Sequence, residues 1–140
     1  VFGLVGSEMC IRDSLETFMY NVERNGKLLR TVLTDAKKQG SKAYVYGAST
    51  KGNTMLQLWK LEGLFEGAAE IHPDKIGRYT VGTKIPIVSE EEAKENADIF
   101  FVPNFGFRDM FVEKEKEFLE KGGRMIFAMP EVDVVTGDKK

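Results

Sequence analysis

The chain has 140 residues, with 20 Lys and Arg against 22 Asp and Glu, one Cys and one His. That length fits one domain able to bury roughly two thirds of its unfolded surface, and 42% hydrophobic with 30% charged residues excludes a disordered chain. A net charge of −2 supplies no basic field for nucleic acid, one Cys allows no internal disulfide, and one Cys with one His cannot complete a zinc site of the usual Cys/His kind.

At the N-terminus, Val1–Val5 is apolar but lacks a preceding basic region and is too short for a signal core. No apolar stretch approaches the roughly 18–20 residues of a membrane span. A cytoplasmic protein, or a piece of one, is expected. Val5 to Ser14 shows no clear helical or strand period and closely resembles the translation of a sequencing-adapter read. Residues 1–14 are therefore expected to be a non-native scar, with protein missing upstream; a natural N-terminal arm is the alternative.

Residues 15–39 carry Leu15, Phe18, Met19, Val22, Leu29, Val32, Leu33 and Ala36 at three- and four-residue steps, which predicts a long helix. Asn25-Gly26 interrupts the stripe and predicts a kink or split. Lys37, Lys38 and Gly40 mark the helix end. A short strand over 43–46 follows, then a helix over 51–62, a weak strand over 67–71 and a Gly-rich basic loop over 72–83. Ile85 to Val88 is extended, and Ser89 caps a short helix to Asn96. Ile99-Phe100-Phe101-Val102 is apolar throughout, as in a central strand buried on both faces. Phe107, Phe111, Phe118 and Leu119 stripe a further helix whose charges over 113–121 are read as a solvated face. Gly122-Gly123 ends it, and Arg124 to Met129 is a strand. Strands alternate with helices, so the fold class is α/β with a mostly parallel sheet, preceded by a long N-terminal helix.

The strongest chemical signal is Gly47-Ala48-Ser49-Thr50-Lys51-Gly52-Asn53-Thr54, between the first strand and its helix. There, backbone N–H groups and a helix N-terminus face the carboxyl end of the sheet, where anions bind. Glu70 lies 23 residues after Gly47, at the end of the second strand, from where a carboxylate reaches a ribose hydroxyl. Two familiar loops are excluded. Asn53 stands where a nucleotide-triphosphate loop needs Lys, and Ser49 where a dinucleotide loop needs its second Gly. A tight turn without ligand remains an equal alternative.

Three blocks carry a family resemblance: Tyr46 to Thr54, His72 to Ile87, and Glu117 to Gly123 followed by strand residues and Pro130-Glu131. Through them, residues 18–131 resemble the C-terminal domain of S-adenosylmethionine-dependent sugar C-methyltransferases. The middle block, reading K-x-G-R-Y-x-x-G-T-x-I-P-I, is the most specific. The resemblance implies a Rossmann-like three-layer domain over 41–140, joined by the helix over 15–40 to a missing upstream catalytic domain. It also implies a larger enzyme in which a zinc-binding part and a cofactor-binding part come first. That enzyme would deprotonate a nucleotide-linked keto sugar beside its ketone, and the enolate would take the methyl group of S-adenosylmethionine. No catalytic or metal-binding residue is expected on this chain. Two departures stand out: Val102-Pro103-Asn104-Phe105 where the family has Leu-Pro-Trp, and Glu70 where Asp is common.

On that resemblance, the domain is expected to hold the nucleotide-diphosphate part of the sugar. Gly47, Ala48 and Gly52 would let backbone approach the anion. Lys51, Lys75 and Arg78 would supply charge, and Asn53 and Tyr79 hydrogen bonds. Lys75 and Arg78 read equally well as solvated loop charges, and Tyr79 as a turn residue. His72, beside Pro73, reads as a surface residue; Trp59 and the Phe107/Phe111/Phe118 stripe read as core. The alternatives are a self-standing Rossmann-like nucleotide-binding module and a structural cap domain without ligand.

Overall fold

The computed structural model describes residues 2–47 and 49–137, without the side chains of residues 2–13, Thr50 and Lys51. Its elements run α1 (Phe2–Lys38), β1 (Ala43–Tyr46), α2 (Thr50–Leu58), β2 (Gly67–Glu70), β3 (Ile87–Ser89), α3 (Glu90–Asn96), β4 (Ile99–Phe101), α4 (Arg108–Lys114), α5 (Lys116–Glu120), β5 (Arg124–Phe127) and β6 (Asp133–Thr136). The six strands form one sheet in the order β3-β2-β1-β4-β5-β6. All pairs are parallel except β5 with β6. This is the doubly wound Rossmann order with its last strand reversed.

Strand side chains alternate between two apolar layers. Val45, Ile99, Phe101 and Ile126 meet Leu29 and Leu33 of α1 and Leu56 of α2 on one face. Tyr44, Phe100, Met125 and Phe127 meet Ala93 of α3 and Leu119 of α5 on the other. The three strand residues of β4 are fully buried, as the apolar run predicts. Among the described residues no helix is long and apolar enough to cross a membrane.

Five expectations change. The first helix begins at Phe2 instead of residue 15. Elongating an existing helix adds one hydrogen bond per residue fixed, so it proceeds without an amphipathic pattern. The helix also runs unbroken through Asn25-Gly26. Asn25 is 1% exposed and its Nδ2 donates to Ala128 O at 2.9 Å and Pro130 O at 2.7 Å. A Cβ on Gly26 would lie 2.3 Å from the Trp59 ring. The pair is therefore a docking point, where α1 accepts the indole and ties down the chain leaving β5.

Further along, the helix expected after Phe107 is interrupted at Glu115, with φ −100° and ψ 26°. Phe107 is 55% exposed and lies outside the core, whereas Trp59 is buried. Last, Asp133–Thr136 adds the antiparallel edge strand β6. Its Asp-Val-Val-Thr run neither alternates nor is apolar throughout, and it lies half-buried at the sheet edge, so no strand pattern stands out.

Among the described side chains of α1, the packed and the exposed apolar ones separate along the helix. Val22, Leu29, Val32, Leu33 and Ala36 face the core, while Leu15, Phe18, Met19 and Tyr20 stay exposed.

Candidate functional site

From β1 the chain turns to β2 on one side and returns to β4 on the other. In open α/β sheets ligands bind at such a switch point, beyond the carboxyl ends of the strands. A cleft of about 220 Å³ opens there, lined by Tyr46 and Gly47 at the end of β1, Glu70 and Ile71 at the end of β2, and Asn104 after β4. Ser49, Ala69, Glu90, Phe111 and Lys114 complete it. A larger hollow of about 520 Å³ lies between α4, α5 and β6, lined by no residue that follows β1 or β2.

Gly47 adopts φ +96°, a left-handed conformation that suits glycine. Its turn delivers the chain to Ser49, whose Oγ caps α2 by accepting the Gly52 N–H at 3.1 Å. Gly52 is glycine for a packing reason, since a Cβ there would lie 2.9 Å from Pro103 Cγ. That close approach brings the loop after β4 against the start of α2. Ala48 and the side chain of Lys51 lie outside the described residues.

Glu70 is buried to 10% of its side-chain surface. Its Oε1 accepts the Ile71 N–H at 2.9 Å and the His72 N–H at 3.2 Å, and its Oε2 lies 3.6 Å from Lys75 Nζ. Burial pushes the carboxyl up, but the His72 and Ile71 amides and the Lys75 charge outweigh it, and the pKa falls below the usual carboxylate range. Glu70 is thus ionised and held at the cleft wall.

The middle block folds as a hairpin at the edge of the sheet. Gly77 N donates to Ile87 O, Ile87 N to Arg78 O, and Thr80 N to Ile85 O, with Tyr79 opposite Pro86. Asn53 braces this hairpin against α2: its Oδ1 accepts from Thr83 Oγ1 at 3.2 Å, and Thr83 Oγ1 meets Thr80 Oγ1 at 2.6 Å. Gln57 Nε2 adds a bond to Val81 O at 2.8 Å. Arg78, Tyr79 and His72 are exposed and do not line the cleft.

The structure therefore brings Gly47 and Glu70 to one cleft and sets Lys75 beside it through Glu70. It separates Arg78 and Tyr79 from that cleft, and turns Asn53 toward the hairpin.

The other wall of the cleft was not anticipated from the sequence. Tyr46 Oη donates to Glu115 Oε1 at 2.7 Å. Glu115 is 3% exposed and takes Lys94 Nζ at 3.1 Å, and Lys94 also holds Glu90 Oε1 at 2.9 Å. Lys114 Nζ approaches that Glu90 oxygen at 3.4 Å and lies 6.0 Å from the centre of the Tyr46 ring. The Tyr46 ring meets Phe100 and Phe111 edge-on at 5.4 and 5.3 Å. Burial, then the bond to Glu115, pushes the Tyr46 hydroxyl far above its ordinary pKa, so it stays a neutral donor. Burial pushes Glu90 up, but Lys94 and Lys114 bring it below the ordinary range. The sequence does hold a signal. Glu115 falls four residues after Phe111 and three before Phe118, inside the apolar stripe rather than on the charged face.

The family model described as C-methyltransferase C-terminal domain matches residues 7–130. The chain is also 32% identical over 117 residues to the protein named C-methyltransferase NovU of Streptomyces niveus. That alignment covers 80% of this chain and 26% of NovU, so the chain spans about a quarter of the relative's length. With most of its length matched, and the Rossmann-type sheet in place, the chain belongs to the C-methyltransferase C-terminal domain family.

Proposed function

We propose that this chain is the substrate-side domain of an S-adenosylmethionine-dependent C-methyltransferase and holds a nucleotide-linked keto sugar for a catalytic domain upstream. The observation that carries the reading is the cleft at the switch point, where the Gly47 turn, the start of α2 and the ionised Glu70 converge. A cleft of about 220 Å³ is smaller than the roughly 300–1,000 Å³ of whole-ligand pockets. It suits one moiety, with the rest of the substrate reaching another domain. The exposed apolar side chains Leu15, Phe18 and Met19 of α1 support the same division, because such a stripe suits a neighbour on the same polypeptide. A nucleotide-sugar substrate would also place the enzyme in the cytoplasm.

In this reading Gly47, Ala48 and Gly52 shape the anion approach, Lys51 and Lys75 supply charge, and Glu70 faces a hydroxyl. Arg78, Tyr79 and Asn53 act from the hairpin side, where Asn53 sets the hairpin's position. Among the described residues no group of three His, Cys, Asp or Glu is placed to hold a metal, and the zinc of this reading is assigned upstream. The small cleft does not fit a whole S-adenosylmethionine. Both belong to upstream parts, and the chain alone is expected to be inactive.

Calorimetric titration with dTDP- and GDP-linked sugars tests the assignment. Saturable binding, weakened in Glu70→Ala, is expected. If neither this chain nor a version rejoined to the upstream domains binds either sugar nucleotide, the proposal fails. Binding of a free dinucleotide with hydride-transfer turnover would instead favour a self-standing Rossmann-like module.

A further inference from the structure

Among the described side chains, the charges that line or adjoin the cleft cancel. Glu70 is matched by Lys75, and Glu90 with Glu115 by Lys94 with Lys114. An anion entering the cleft would face two lining carboxylates, Glu70 and Glu90, against one lining lysine, Lys114. Of its remaining side chains Tyr46, Ala69, Ile71 and Phe111 are largely apolar, and Ser49 and Asn104 are neutral and polar. An apolar lining with a few paired polar groups suits an uncharged ring better than a diphosphate.

Two of those polar groups keep capacity. Lys94 already bridges Glu90 and Glu115 at 2.9 and 3.1 Å, leaving Lys114 as the weaker partner at 3.4 Å. Lys114 is about half exposed. An ammonium has three donors and a carboxylate about four acceptor positions, so neither group is saturated by this contact. A donor and an acceptor this close suit neighbouring hydroxyls, each of which donates and accepts. Glu115 holds the arrangement from below, by fixing Tyr46 and, through Lys94, Glu90.

We infer that Lys114 and Glu90 bind adjacent hydroxyls of an uncharged ring seated against Tyr46 and Phe111, while the anionic part of the ligand stays outside the cleft. This rests on the nucleotide-sugar reading and deepens it. In such a ligand a ring with adjacent hydroxyls has two sources, the ribose of a ribonucleoside and the methyl-accepting sugar.

The test uses saturation-transfer NMR and calorimetry on the chain with four probes. These are the nucleotide-linked sugar, the matching free nucleoside, the methyl glycoside of the sugar, and inorganic pyrophosphate. Lys114→Gln and Glu90→Gln are compared with the unsubstituted chain, each with its fold checked by circular dichroism. Each variant is expected to weaken the nucleotide-linked sugar roughly tenfold and to leave pyrophosphate binding unchanged. It should also abolish the signal of one free ring, nucleoside or glycoside, which identifies the source. Unchanged binding of the nucleotide-linked sugar in both variants overturns the inference and leaves the functional reading standing. Loss of pyrophosphate binding in Lys114→Gln also overturns it, since Lys114 would then read the anion. If the chain binds no nucleotide-linked sugar at all, the inference falls together with the functional reading.

Discussion

Tyr46 and Glu115 lie 69 residues apart in the chain and meet through a 2.7 Å hydrogen bond at the wall of the cleft. One comes from the end of β1, the other from the break between α4 and α5. The bond therefore ties the central strand to the helix layer where a ligand would enter. Tyr46→Phe keeps the ring contacts with Phe100 and Phe111 but removes one donor from a buried carboxylate. A hydrogen bond to a charged group is worth about 1.5–3 kcal/mol, so urea unfolding should show a loss of that size. Glu115→Ala should cost more than Tyr46→Phe, because it strands both the hydroxyl and Lys94.

The same cluster sets opposite ends of the pH profile. Burial raises the pKa of Glu70 and Glu90, but their amide and lysine partners outweigh it and leave both below the unfolded value of 4.5. Their contribution is fully present above that value and is lost as pH falls through the lower folded pKa. Tyr46 is raised from 10.0 by burial and Glu115. For Lys94, burial lowers the pKa, but Glu90 and Glu115 outweigh it and the net shift is upward from 10.5. Their contributions are present below 10.0 and 10.5 and are lost as pH rises further. Melting temperature against pH should show a plateau with both limbs. Glu90→Gln is expected to flatten the acid limb and Tyr46→Phe the alkaline one; unchanged limbs would contradict the assigned partners.

Gly26 gives a sign that local propensity gets wrong. Alanine in a helix interior is favoured over glycine by about 1 kcal/mol, so Gly26→Ala looks stabilising on α1 alone. In the fold its Cβ would lie 2.3 Å from Trp59 Cδ1 and 2.6 Å from Cγ, both in a buried ring. Overpacking of that kind costs about 1–3 kcal/mol. Thermal unfolding should therefore place the variant below the parent, with a change in Trp59 fluorescence.

These cases explain what the sequence discloses and what it hides. The α/β class and the burial of β4 are legible because Ile99-Phe100-Phe101 is an unbroken apolar run and the stripe through Leu29, Leu33 and Ala36 keeps a helical period. Asn25 and Glu115 break the stripes they sit on, at three- and four-residue steps from Val22, Leu29, Phe111 and Phe118. Read by residue type, one predicts a kink and the other a solvated charge. Read by position, both are buried polar groups in need of a partner. The partners, Pro130 and Tyr46, are distant in sequence, and no period reports them. Gly47 and Glu70 are legible because the switch-point geometry is local to strand ends. Arg78 and Tyr79 are not, because the hairpin that carries them away from the cleft depends on backbone pairing with Ile87 and Pro86.

Asn53 links the two halves of that picture. It sits on α2, within the glycine block, yet its Oδ1 accepts from Thr83, which shares a 2.6 Å contact with Thr80. Thr80 Oγ1 in turn accepts the Ile85 N–H at 2.8 Å. Asn53→Ala removes the acceptor that anchors this chain and leaves buried Thr83 and half-buried Thr80 without that helix contact. Local openings are governed by such anchors rather than by global stability. Hydrogen exchange should therefore accelerate at the Thr80 and Ile85 amides, while Val45 and Phe100 in the central strands keep the parent's protection. Equal acceleration in strands and hairpin would mean that Asn53 supports the whole domain, and no change in either would remove it as a brace.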